Sequence, residues 1–177
     1  MPAMKDQAGI TLLELMVAIT VLAVLLGIGV PSFNSVVRNS RLATQANEFV
    51  TALNFARSEA GKRGLPVSVC ASDDGATCEL GAPDWEAGWI VFTDTATAGE
   101  LDGTDEVLQV APARMAGYGF TETTGGVGFV QFLPSGLVEP ALWRRFQLEW
   151  SAAAAGRQRC ISVAPGGRIG TEREACP

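Results

Sequence analysis

The sequence predicts an α+β fold, with one long N-terminal helix laid across an antiparallel β-sheet head. Three patterns predict it. Residues 10–30 form an apolar run that carries a single charge, Glu14. Apolar residues then recur every three or four positions through residue 60, the period of an amphipathic helix. After Pro66 the chain breaks into short β-branched and aromatic segments separated by Gly, Pro and Asp, the punctuation of strands and turns.

A length of 177 residues suits one ordinary domain and a membrane segment. Apolar residues make up 47% and charged residues 18%, which favours a packed core over disorder. The run at 10–30 is long enough to cross a hydrocarbon layer of about 30 Å as a helix. A short polar leader, "MPAMKDQAG", precedes it at residues 1–9. Residues 31–62 form the amphipathic stem. Its stripe is Phe33, Val36, Val37, Ala43, Ala46, Phe49, Val50, Leu53, Ala56 and Ala60, with Arg38, Arg41, Glu48 and Glu59 off it. Gly61, Gly64 and Pro66 end the helix. From Thr11 to Lys62 such a stem measures roughly 75–80 Å at about 1.5 Å per residue. The stripe needs an apolar partner, and the head that follows it, residues 63–177, is expected to supply one.

Seven segments of the head read as strands: "PVSVC" (66–70), "GWIVFTD" (88–94), "EVLQVA" (106–111), "GYGFTET" (117–123), "GVGFVQFL" (126–133), "RRFQLEW" (144–150) and "RCISVA" (159–164). In the sixth, Phe146, Leu148 and Trp150 alternate with Gln147 and Glu149, which suits an antiparallel sheet with one face on the helix.

Composition excludes several chemistries. There is no histidine, so Ser-His and Cys-His nucleophile pairs and His-containing zinc sites are absent. The net charge of −6 argues against a general polyanion binder. That sum conceals segregation. No Lys or Arg lies between Arg63 and Arg114, while ten acids lie from Asp73 to Glu106. From Pro140 onward Arg144, Arg145, Arg157, Arg159, Arg168 and Arg173 outnumber Glu149, Glu172 and Glu174. The cysteines, Cys70, Cys78, Cys160 and Cys176, have no C-x-x-C spacing and read as two disulfides of an exported domain. Four cysteines allow three connectivities; proximity favours 70–78 and 160–176. The acidic stretch 94–106 lacks the spacing of a calcium loop and reads as a solvated hairpin loop. "GGVG" (125–128) has no following Lys-Ser/Thr and is no phosphate loop. Trp85, Trp89, Trp143 and Trp150 read as core or edge packing rather than a ligand cage. No acid pair accompanies a nucleophile, so no enzyme, cofactor or metal site is expected.

The segment "AGITLLELMVAI" resembles the class III signal of type IV pilins and type II secretion pseudopilins. The resemblance implies cleavage by prepilin peptidase after Gly9, methylation of the new amine on Ile10, and an assembly role for Glu14. Ile10 stands where Phe is usual, and Pro31 stands at the family's helix-breaking proline. The head resembles the GspH/FimT (FimU-like) group in "NFARSEAGKRGLPVSVC", "GWIVFTD" with "DEVLQV", "FVQFLPSGLV" and "CISVAPGGRIG". It implies a pilin-like minor subunit held in the bacterial inner membrane by a single pass, with its head in the periplasm. From there the subunit joins a pilus or pseudopilus filament beside other pilins or pseudopilins. A carboxylate in an apolar helix costs roughly 2.5–3.5 kcal/mol on insertion scales, and a neighbour's freed amine would offset it. Two alternatives stay open. One is a type II secretion pseudopilin; the other is a minor pilin that binds double-stranded DNA for uptake. For the latter the candidate residues are Arg168 in "GGRIG" and Arg173, with Gly170 where the group's DNA-binding members carry a second Arg.

Overall fold

Helix α1 (Leu12–Arg63) starts where its first amides find a partner. The Glu14 amide donates to Thr11 Oγ1 at 3.2 Å, so Thr11 caps the helix, and Thr-Leu-Leu-Glu has capping-box spacing. The computed structural model describes residues 11–81, 83–113, 117–150 and 158–177. The expected helix break at Pro31 is corrected: α1 runs through that position without interruption. A proline deletes one intrahelical N–H and crowds the preceding turn, at a cost of about 3 kcal/mol, and Gly27, Gly29, Ser32 and Asn34 around it are poor helix formers; the helix nonetheless continues. α1 ends at Gly64, whose φ of 68° lies in the left-handed region and whose N–H donates to the Ala60 carbonyl at 3.0 Å. Lys62 and Arg63 in the last turn both pair with Glu59, cations placed where the helix dipole favours them.

A compact unit runs from Ser40 to Pro177. Its helical part buries Leu42, Ala46, Phe49, Leu53, Ala56 and Ala60, one stripe at alternating steps of four and three. The stripe expected from sequence began lower. Phe33 and Val36 are 69% and 64% exposed, so these two stripe residues are not covered by the described residues.

Two antiparallel sheets follow. The first has five strands in the order β3-β2-β1-β5-β6: β1 (Val67–Ala71), β2 (Trp89–Thr93), β3 (Val107–Ala111), β5 (Phe129–Phe132) and β6 (Val138–Glu139). The second has four strands in the order β4-β7-β8-β9: β4 (Tyr118–Glu122), β7 (Arg144–Trp150), β8 (Gln158–Val163) and β9 (Ile169–Glu172). The seven expected strands are present, as β1–β5, β7 and β8. β6 and β9 were not foreseen. Two residues show no period, and "IGTE" reads as a tail until it pairs with β8, Ile161 opposite Thr171.

Phe49 is the centre of the core. Its ring makes edge-on contacts with Trp85, Trp89, Phe120 and Phe146 at centroid distances of 4.9–5.5 Å, so one helical side chain touches both sheets. β1 and β2 are buried along their whole length, which is why "VSVCA" and "WIVFT" lack polar alternation. Val67, Val69 and Val91 join the helix core, while Cys70, Ile90, Phe92 and Phe129 form a second cluster, packed by Cys78 and Leu101. The connections after β1 and β2 supply those last two residues and thus cover the sheet's outer face.

Candidate functional site

The N-terminal helix presents its apolar residues outward. Leu12 through Ile28 are exposed along every face, and an 18-residue window has a mean hydropathy of 2.5. That is long and apolar enough to cross a membrane. Glu14 is exposed within this surface, one turn inside the capped end. Gly9 and Ile10, the expected cleavage and methylation positions, lie outside the described residues.

Both disulfides take the local pairing. Cys70 joins Cys78 and Cys160 joins Cys176. The first closes a loop that Asp74 organises from within. Its carboxylate accepts from the Ala76 and Thr77 amides at 2.8 Å, from Thr77 Oγ1 at 2.9 Å and from Ser72 Oγ at 3.1 Å. Led by the amide bonds, these contacts lower its pKa to about 2. The second disulfide staples the tail to β8, and the Cys176 amide donates to Gln147 Oε1 at 3.3 Å.

The acidic stretch 94–106 joins β2 to β3 as the expected hairpin loop and is exposed over most of its length, but its first acid is not solvated. Asp94 is buried, and its Oδ2 accepts from Ser68 Oγ at 2.5 Å and the Gly99 amide at 2.7 Å. Burial pushes its pKa up against those bonds. Asp105 Oδ1 accepts from the Thr95 amide and hydroxyl, and Asp102 Oδ1 from those of Thr104. Asp94 ties the loop to β1, and Asp102 and Asp105 brace it from within. Among the described residues no group of three or more His, Cys, Asp or Glu could hold a metal ion.

The candidate DNA-binding pair, Arg168 and Arg173, is not brought together. Strand β9 separates them, and five extended residues span roughly 17 Å at about 3.3 Å each. Both are exposed, with Glu172 and Glu174 beside Arg173. They form no cluster.

Sequence reasoning missed two arrangements on β7. Arg144 points inward and is 3% exposed, its Nε 3.0 Å from Glu122 Oε1, itself 3% exposed. Its guanidinium also donates to the Phe129 carbonyl at 2.6 Å, so a residue of the second sheet ties β4 to β5 of the first. Burial raises the Glu122 pKa, and the Arg144 charge opposes the rise. Facing outward, Arg145 sets its guanidinium carbon 5.6 Å from the Trp143 ring centroid. Trp85 and Trp89 are core residues as expected, but Trp143 is 44% exposed. Strand alternation in "WRRFQLEW" was the available signal for opposite placement of Arg144 and Arg145. A groove of about 670 Å³ also lies between α1 and the β3 edge, lined by Arg41, Thr44, Glu48, Thr51, Gln109 and Val110 among others.

The family model described as type II transport protein GspH matches residues 45–167, and that of the prokaryotic N-terminal methylation motif matches residues 4–30. The fold is similar to the type IV minor pilin FimU of Pseudomonas aeruginosa, with a TM-score of 0.60 and 24% identity over 76% of this chain and 90% of that one. It is also similar to the minor pseudopilin EpsH of the Vibrio cholerae type 2 secretion system, with a TM-score of 0.53 and 14% identity over 75% of this chain and 97% of that one. No curated protein matches the chain in sequence.

Proposed function

The chain belongs to the family of the type II transport protein GspH, and on that premise we propose that it is a minor type IV pilin. It supports pilus assembly as part of a tip or priming complex. The observation that carries this reading is Glu14, a carboxylate exposed on an apolar helix with no ion pair among the described residues. The methylation motif over residues 4–30 implies processing by prepilin peptidase and assembly with other pilins or pseudopilins.

The chemistry runs as follows. The subunit waits in the inner membrane through residues 10–30, with its head in the periplasm, where both disulfides form. Prepilin peptidase cuts after Gly9 and methylates the freed amine of Ile10. That amine is itself costly in lipid. In the filament the Glu14 of one subunit pairs with the Ile10 amine of a neighbour, and each charge offsets the other in a medium where attraction is poorly screened. The exposed apolar surface of Leu12 to Ile28, and of Phe33 and Val36 beyond it, is covered by neighbouring helices at the same step. The role is structural, not enzymatic.

The second reading, a type II secretion pseudopilin, is supported by the GspH family itself. A DNA-capturing role is disfavoured by the separation of Arg168 from Arg173. A deletion scored in parallel for surface pili, protein secretion and transformation tests all three. Loss of pili is expected; loss of secretion with normal pili overturns the first reading. Glu14→Ala tests the pairing: cleavage at Gly9 continues while co-assembly falls, and normal incorporation of this variant refutes the role of Glu14.

A further inference from the structure

The acid that follows β2 is buried where a charge is costly. Asp94 is 2% exposed, and its amide donates to the Pro66 carbonyl at 3.0 Å. Its Oδ2 takes both side-chain hydrogen bonds, from Ser68 Oγ and the Gly99 amide. Oδ1 is buried with no hydrogen bond among the described residues, and no ion pair there includes Asp94. Each element packed around it withholds a cation. β1 faces it with Ser68 and β5 with Gln131, beyond which Glu139 lies on β6. Its own loop adds only further acids, Glu100, Asp102 and Asp105, and the charge of Asp105 opposes that of Asp94. Arg63 of α1, at the far end of the loop, is engaged by Glu59 and Glu106. One of the two bonds to Oδ2 seats the loop. Gly99 has a φ of 83°, and a Cβ there would run into the Phe129 ring, so bare backbone lies on that ring. Leu101 packs against the same cluster, Cys70, Ile90, Phe92 and Phe129, while residues 95–98 are exposed.

We propose that Asp94 makes loop 94–106 a proton-operated cover over this apolar cluster, shut while the carboxyl carries a proton and free to lift when it is ionised. A proton on Oδ1 removes the buried charge and leaves Oδ2 to accept both bonds. Lifting the loop carries the ionised carboxylate into water, and it uncovers Phe129 and Leu101 in the same movement. A surface loop with few apolar anchors is where such local opening is expected. The direction with pH follows from the geometry. In the closed loop burial holds the Asp94 pKa above the ordinary 3.8, and Asp105 adds to the rise, against Ser68, Gly99 and Gln131. In the lifted loop the carboxyl is solvated and titrates in its ordinary range. The closed form therefore binds the proton more tightly. Closure gains as pH falls: the gain is complete below 3.8 and is lost as pH rises through the raised value. The cover belongs to the head itself and holds whichever filament the chain joins.

The test follows hydrogen exchange of the Gly99 amide in the full chain in detergent, from about pH 3 to about pH 8. Rates are corrected for chemical exchange and set against the Val69 amide of the same sheet, which separates lifting of the loop from unfolding of the head. Relative protection of Gly99 should be highest at the acid end. It should fall by up to about tenfold per pH unit as pH rises through the raised value, then level off. Asp94→Asn keeps an accepting oxygen and does not ionise, so its protection should be the same at every pH. Ser68→Ala removes a donor that favours the charge and should move the levelling-off to higher pH. Protection that is flat in the native chain, that is greater at neutral pH, or that varies with pH in Asp94→Asn as in the native chain overturns the proposal. A carboxyl-carbon NMR titration of the native chain reads the same step without any variant: the Asp94 midpoint should lie above 3.8, and a midpoint at or below that value overturns the proposal equally.

Discussion

Replacing Arg144 by Met keeps an unbranched stem and removes the guanidinium and its charge, which probes the ion pair. Arg144 and Glu122 are each 3% exposed, and the guanidinium also holds the Phe129 carbonyl at 2.6 Å. The variant therefore leaves a buried carboxylate without its cation and a strand carbonyl without one donor. Breaking a buried pair from one side costs about 3–5 kcal/mol, and at about 4 °C per kcal/mol for a unit of this size the midpoint drops by about 12–20 °C. The assay is thermal unfolding of the full chain in detergent, followed by near-ultraviolet circular dichroism of the core tryptophans. The sign with pH is set by Glu122. Burial holds its pKa above the ordinary 4.5 in the fold, and Arg144 is the charge that opposes the rise. Without Arg144 the ionised carboxylate destabilises the fold at neutral pH, and the loss shrinks as pH falls through its raised pKa and the group takes up a proton. A companion variant, Arg144→Met with Glu122→Leu, removes both charges and recovers most of the loss. If the double variant is as unstable as the single, the pair is not the source of the penalty and the argument fails.

Two further perturbations probe the head. Phe49→Ala empties the position where one helical ring meets four aromatic neighbours, and should cost about 3–5 kcal/mol in urea unfolding; a loss under about 1 kcal/mol would mean the core repacks without it. Asp74 tests the loop closed by Cys70 and Cys78. Its lowered pKa means the contribution is complete above the ordinary value of 3.8 and is lost as pH falls through about 2. A carboxyl-carbon NMR titration should show that midpoint, with the Ala76 and Thr77 amides shifting in step; a midpoint near 3.8 would show that the bonds do not form in solution.

What was legible in this sequence follows one rule: features set by near neighbours in the chain could be read, and features set by register across strands could not. The capped, apolar start of α1, its end at Gly64 and the buried runs of β1 and β2 each lie within a few residues of their cause, and the disulfides close loops of only 8 and 16 positions. The aromatic core was legible in kind, since Trp85 and Trp89 could be placed inside, but Phe49 as its centre depends on how both sheets meet the helix. The Arg144–Glu122 pair joins residues 22 positions apart that sit on neighbouring strands two residues out of register, Glu122 opposite Phe146; no local pattern announces it. The same rule explains the errors about charge. Asp94 looked like a loop acid because its partner Ser68 lies on a different strand, 26 residues away. Arg168 and Arg173 looked like neighbours because the strand between them exists only through pairing with β8. Gly170 carries the point furthest. In the sequence it marks a missing arginine in a basic motif, whereas in the sheet it stands opposite Ser162, and a Cβ there would lie 3.0 Å from Ser162 Oγ. The glycine that weakens the DNA reading is therefore set by a close approach between two strands, which no local pattern announces.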